Sequence, residues 1–274
     1  MYMKKSAAFI LAMVFALMML SGCNEKKSEP SSPESPDTPV TPDPPEYDII
    51  DICDNKYKQV QIGDQVWMTE NMRCEKYDTQ SGMEGATITK YTSKNPGGST
   101  YAPYCVDASE KELWDSDKYA KSLSSKQVEK LGYLYSWAAA VGFETENAAK
   151  DQATPFEENR QGICPNGWHV PTDAELETLA NYIESNATAG KKLKTTSGWY
   201  NDGNGTDDYS FAALPSGLAG GSTMSGVGYS ATFWTATPSG KGSARGRYLS
   251  YNFNSLTSTN YSKDFAFSVR CIKN

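Results

Sequence analysis

Apolar residues recur along this chain at two different periods. In one stretch the spacing is that of a helix face: Leu176, Leu179, Ala180 and Ile183 line up behind Asp173, which predicts a helix from 173 to about 186. Its start is written explicitly. Thr172 can accept the backbone N–H of Glu175 while Glu175 reaches back to that of Thr172, a capping box. Asp173 and Glu175 also set negative charge at the positive end of the helix dipole. Elsewhere the period is two. Residues 57–62 and 65–68 alternate around Gly63-Asp64, which predicts a hairpin. Over 265–272, Phe265, Phe267, Val269 and Cys271 share one strand face, with Ala266, Ser268 and Arg270 on the other. Residues 231–236 and 247–253 are further strand candidates, and 211–217 is a short buried segment ending in a turn. Over 131–141, Ala138, Ala139 and Ala140 among large apolar residues predict a buried helix. The polar stretch 73–130, broken by Pro96-Gly97-Gly98, is expected to be surface loop with one exposed helix over 118–130.

The first residues carry a different pattern. Lys4 and Lys5 precede an apolar run over 7–20 that is short for a membrane span. The run ends in Leu20-Ser21-Gly22-Cys23, which resembles the lipobox of bacterial lipoproteins. That implies a signal peptide over 1–22 and lipid attachment at Cys23, hence a cell-envelope location at the outer membrane or cell surface. Over 23–46, Pro30, Pro33, Pro36, Pro39, Pro42, Pro44 and Pro45 alternate with polar residues, the composition of an extended linker. No second linker interrupts 47–274, so one domain is expected there.

Composition shifts this picture toward β structure and away from nucleic acid. The 17 Tyr and 22 Gly favour a loop-rich, β-rich architecture. The net charge of −7, more negative without Lys4 and Lys5, lacks the basic footprint of a nucleic-acid binder. Besides Cys23 there are five cysteines: Cys53, Cys74, Cys105, Cys164 and Cys271. An odd number leaves at least one unpaired within the chain. A Cys164–Cys271 disulfide is expected, with Cys74–Cys105 as the second pair and Cys53 left over. No CxxC-type spacing points to a thiolate metal site.

Several segments, YKQVQIGDQVWMTEN from Tyr57, YLYSWAAA from Tyr133, CPNGWHVPTDAELETL from Cys164, FAALPSG from Phe211, FWT from Phe233 and FSVRCIK from Phe267, together resemble the Fibrobacter succinogenes major paralogous domain. That resemblance implies a bacterial surface or secreted protein of poorly defined activity. More distantly, the Cys164 and Phe267 segments are similar to the C-type-lectin-like fold, which the formylglycine-generating enzymes share. The fold this implies is α+β, two helices with small antiparallel sheets and long loops. The proline-containing signatures of sugar-binding C-type lectins and the thiol pair of the formylglycine-generating enzymes find no counterpart here, so a non-catalytic binding or adhesion module is expected. An exported enzyme on that scaffold and a purely structural envelope protein are the alternatives.

Ligand candidates concentrate at 199–209. Trp199, Tyr200 and Tyr209 offer flat rings for sugar faces, as do Tyr229 and Trp234, and Asp202, Asn204 and Asp208 offer polar contacts. Oxygen-bearing Asp202, Asn204, Thr206 and Asp208 recur at every second residue, as a calcium shell requires. No bidentate glutamate stands where the twelfth position of a helix–loop–helix calcium site would fall, and the same side chains better suit a glycine-rich loop that satisfies its own backbone. His169 is the one histidine, either a general base or a packed residue between Trp168 and Val170.

Overall fold

Alternation wins over helical spacing in most of this domain. The computed structural model describes residues 49–79, 82–91, 104–114, 119–143, 146–156, 159–220 and 223–274. The expected signal peptide, Cys23, the linker and Pro96-Gly97-Gly98 lie outside them. Among the described residues, nine strands form one mixed sheet. Its main path runs Thr257–Ser262, Ser243–Ser250, Ser230–Gly240, Phe265–Ser268, Tyr133–Ser136, Tyr104–Asp107 and Thr89–Tyr91. Leu218–Gly220 also pairs with Phe265–Ser268 and carries Thr223–Ser225 outside it. Two of the pairings are parallel, Ser230–Gly240 with Phe265–Ser268 and Thr89–Tyr91 with Tyr104–Asp107.

A second sheet of four strands orders Gln59–Ile62, Gln65–Met68, Ile272–Lys273 and Trp168–His169. The expected hairpin is present, with Ile62 opposite Gln65 across Gly63-Asp64. Gly63 sits at φ +62°, and a Cβ there would meet the Tyr182 ring at 2.8 Å, so the turn needs glycine on both grounds.

The architecture is therefore largely β, and the expected α+β fold of two helices with small sheets does not hold. Of the helices among the described residues, only Asp173–Ile183 is longer than six residues. It begins with the predicted capping box at Thr172 and Glu175 and buries Leu176, Leu179, Ala180 and Ile183. The buried helix expected over 131–141 is half strand. Tyr133–Ser136 lies between Phe265–Ser268 and Tyr104–Asp107, and a strand buried on both faces loses its alternation and reads like a buried helix. Ser136 then switches the chain to the helix Trp137–Val141 by accepting the N–H of Ala139. Over 118–130 there is a 3-10 turn, Ala120–Ser122, and one helical turn, Ser125–Val128. The expected loops of 73–130 supply two sheet strands.

Buried residues form three clusters. One surrounds Trp137, Trp234 and Phe267. A second packs the Asp173–Ile183 helix on Trp67, Trp199, Phe211 and Phe233. The third holds Trp114, Leu131, Leu134 and Met224. One disulfide joins Cys164 to Cys271 with Cα atoms 5.9 Å apart, and another joins Cys53 to Cys74 at 5.7 Å. Cys105, expected to pair with Cys74, is a buried free thiol. The Tyr135 hydroxyl engages Cys74 at both its N–H and its carbonyl, at 3.0 and 2.8 Å. Tyr135 is also the cross-strand neighbour of Cys105, and Cys74 is already bonded to Cys53.

Candidate functional site

The loop after the helix Ala189–Leu193 is anchored by Trp199. That ring is buried, and its indole N–H donates to Thr195 Oγ1 at 3.1 Å and to the Ala213 carbonyl at 3.3 Å. The Lys194 ammonium sits 5.1 Å from the ring centre and donates to the carbonyls of Ser250 and Phe253. Burial lowers the Lys194 pKa to about 8. Trp199 thus holds the loop down and leaves no face for a ligand. Gly203 and Gly205 permit close approach: a Cβ would fall 2.3 Å from the Tyr251 carbonyl at one and 2.2 Å from the Lys194 carbonyl at the other.

Beyond Trp199 the backbone is strained. Six non-glycine residues among those described have positive φ, and five of them are Asn201, Asp202, Asp207, Ser210 and Ala212. Asn and Asp tolerate the left-handed region, whereas Ala does so at a cost. Asp207 holds the bend by accepting the Ala212 N–H at 2.7 Å. Burial raises the Asp207 pKa, opposed by that hydrogen bond and by the Arg270 charge. Arg270 is fully buried behind it, between the Phe211 and Phe233 rings, and donates to Asn71 Oδ1 at 2.6 Å.

On one side of this loop four half-buried tyrosines meet. Tyr200 lies 4.4 Å from Tyr229, 4.9 Å from Tyr119 and 5.3 Å from Tyr251, centre to centre. Tyr229 is 5.6 Å from Tyr251 and 5.9 Å from Tyr119. The Tyr200 N–H donates to the Gly228 carbonyl, which fixes the cluster to the 226–230 turn. Gly228 has no Cβ to strike the Tyr119 ring, which would lie 2.7 Å away. Burial and then the Asp202 carboxylate raise the Tyr119 phenol above its usual value, so it stays a neutral donor and acceptor.

The same loop also borders a cleft of about 520 Å³. Thr195, Thr196, Ser197 and Asp207 line it from the loop, and Lys126, Gln127, Glu129 and Lys130 from the Ser125–Val128 helix and the residues just after it. Lys56, Glu70 and Arg73 complete it from the first strands. The stretches 119–130 and 195–212 therefore contribute to both the tyrosine wall and the cleft. They touch between them, since Gln127 Nε2 lies 3.1 Å from where a Gly198 Cβ would sit.

The predicted ligand residues are divided by this arrangement. Tyr200 and Tyr229 meet, joined by Tyr119 and Tyr251, which no periodicity in the sequence singled out. Tyr209 packs edge-on against Tyr182 at 6.3 Å instead, and Trp234 is a core residue donating to the Tyr135 carbonyl. Of the candidate calcium ligands, Asn204 Oδ1 accepts the Trp199 N–H at 3.0 Å. Asp202 lies by Tyr119, while Thr206 and Asp208 line a separate hollow with Lys191 and Lys192. Among the described residues the one cluster of three metal-ligand groups is Asp51, Cys53 and Cys74. It does not fit a metal: the cysteines form a disulfide, and Asp51 accepts the Cys53 and Asn55 N–H groups and the Tyr57 hydroxyl.

His169 is buried and held at both ring nitrogens. Nδ1 lies 2.7 Å from Asn274 Oδ1 and Nε2 2.9 Å from Glu175 Oε1. The other Glu175 oxygen accepts the Thr172 N–H and hydroxyl. Burial pushes the Glu175 pKa up, but the bonds from His169 and Thr172 outweigh it and leave the pKa lowered. This pair fastens a strand and the last residue to a helix start.

The family model described as Fibrobacter succinogenes major domain (Fib_succ_major) matches residues 60–273. No curated protein and no solved structure matches.

Proposed function

Since this chain belongs to the Fibrobacter succinogenes major domain family, we propose that it is a cell-envelope lipoprotein whose domain is a non-catalytic binding module for saccharide. The observation that carries the reading is the four-tyrosine wall on a strained loop. Tyrosine offers an apolar ring face to sugar C–H groups and a hydroxyl at its tip for sugar oxygens. Half-buried rings that brace one another lose little further freedom on binding. Strained backbone is retained where the fold has a use for it, and here it sits beside those rings. His169 supports binding over catalysis, because both of its nitrogens are held by structural partners.

The test is a glycan array followed by titration of hits with the full chain in detergent. Saturable binding that Tyr200→Ala and Tyr229→Ala abolish is the expected result. Hits untouched by either substitution would move the site elsewhere, and an empty array would remove the saccharide. The envelope part is tested by acyl-chain labelling, which Cys23→Ala is expected to eliminate.

A further inference from the structure

The cleft beside the tyrosines has a chemistry of its own. Lys126 and Lys130 are exposed, four residues apart, and form no ion pair among the described residues. Arg73, across the cleft, donates instead to Asn55 and the Lys56 carbonyl. Acids interleave with these cations: Glu70, Glu129 and Asp207 line the same walls. With Lys56, Arg73, Lys126 and Lys130 set against these three carboxylates, the lining is poorly matched to a chain of closely spaced phosphates or sulfates, which would meet like charge at the acids. It suits a ligand with one negative group set among hydroxyls. Lysines then pair with the negative group, while carboxylates and the hydroxyls of Thr196 and Ser197 take the ligand's O–H groups. The volume of about 520 Å³ is in the range of small-molecule sites.

We infer that this cleft is a subsite for a carboxylated sugar, a uronate unit within an acidic oligosaccharide whose neighbouring units lie on the tyrosine wall. The inference rests on the saccharide reading above and adds the acid to it. Lys126 and Lys130 are selectivity residues. They line the cleft on the stretch that also carries Tyr119, and Gln127 of that stretch packs against Gly198, two residues before Tyr200, so the two parts are neighbours that an oligosaccharide would bridge. The acidic character of the whole chain, with a net charge of −7, keeps diffuse polyanions away and leaves the local lysine pair to discriminate.

The experiment titrates the full chain with an oligogalacturonate, with its fully methyl-esterified counterpart and with polyglutamate. The wild-type protein is expected to bind the acid about tenfold more tightly than the ester. Lys126→Glu with Lys130→Glu is expected to bring that ratio to one or below, and both lysines are exposed, so the fold is retained. A rise in salt shrinks the ratio without removing binding of the ester. Equal affinity for acid and ester, or a ratio indifferent to the charge reversal, overturns the subsite; ester binding that Tyr200→Ala still abolishes would then leave the saccharide reading intact. Polyglutamate preferred over oligogalacturonate overturns the sugar in favour of an acidic peptide. Binding of no saccharide at all overturns both.

Discussion

Trp199 and Tyr200 are neighbours in sequence and belong to two different kinds of region. Behind Trp199 lies a frame in which each buried charge finds a partner. Arg247, 1% exposed, donates to Asp173 at 2.6 Å, to Glu177 at 2.8 Å and to Asn186 at 2.9 Å. His169, Glu175 and the Cys164–Cys271 disulfide tie the same helix start to the last strand. From Tyr200 onward the backbone takes up left-handed residues and the rings stay half exposed, and beside them Lys126 and Lys130 line a cleft with no ion pair among the described residues. The frame has satisfied its polar groups within the fold, whereas the loop face leaves groups for something outside it. Burying an unpaired group is costly and exposing it is not, so this division follows the distance from the core.

The comparison breaks first at the disulfides. Replacing Cys164 and Cys271 by Ala removes a link spanning 107 residues, and a loss of about 4–5 kcal/mol is expected in a non-reducing denaturant melt. The shorter Cys53–Cys74 link, spanning 21 residues, is expected to contribute about 3 kcal/mol. A larger loss from the shorter link would remove Cys164–Cys271 from its place in the frame. Next come the two neighbours. Trp199→Ala should destabilise by about 3–5 kcal/mol through the cavity it leaves. Tyr200→Ala should lower stability by about 1 kcal/mol or less while removing ligand binding. Similar unfolding midpoints for the two variants would erase the distinction between frame and face.

Strain supplies a smaller and sharper test. Ala212→Gly relieves a left-handed alanine, and the net gain expected is about 0.5–1 kcal/mol after the added freedom of the unfolded chain. A thermal melt reads the gain; a loss instead would mean that the alanine methyl packs usefully. The smallest effect is in acid. The folded-state pKa of Glu175 is lowered, so its contribution is complete above the ordinary glutamate range and is lost as pH falls through and below it. Glu175→Gln should flatten the acid limb of a stability-versus-pH curve. An unchanged limb would show that other carboxylates set it.

Much of the frame was legible in the sequence, because local rules wrote it. The capping box at Thr172 and Glu175, the Gly63-Asp64 turn and the apolar face of Leu176 to Ile183 depend on residues close in sequence. The helix ends at Ile183, short of the expected 186, as Glu184 leaves helical geometry and the Asn186 side chain turns back to Glu177 and Arg247. The fold class was not legible. Tyr133–Ser136 is apolar on both faces, and the edge strand Thr257–Ser262 is a run of polar residues with no alternation. Whether such segments become strands is decided by neighbours far along the chain. The candidate site was half legible for the same reason: Tyr200 and Tyr229 stood in the suspect region, but Tyr119 and Tyr251 reach the cluster only through tertiary contacts.

The four-stranded sheet has a kinetic consequence. Its hairpin, Gln59–Ile62 with Gln65–Met68, is among the first strands in the chain, yet the Gln65–Met68 edge is covered by Ile272–Lys273, among the last. Trp168–His169 joins that sheet only through the same late strand. Non-local pairing of this kind gives a high contact order and slow folding. On a growing chain the early hairpin waits with one edge open until residue 273 has been made. Closure of this sheet thus waits on synthesis through residue 273, and protection from aggregation in the interval falls to whatever shields that edge.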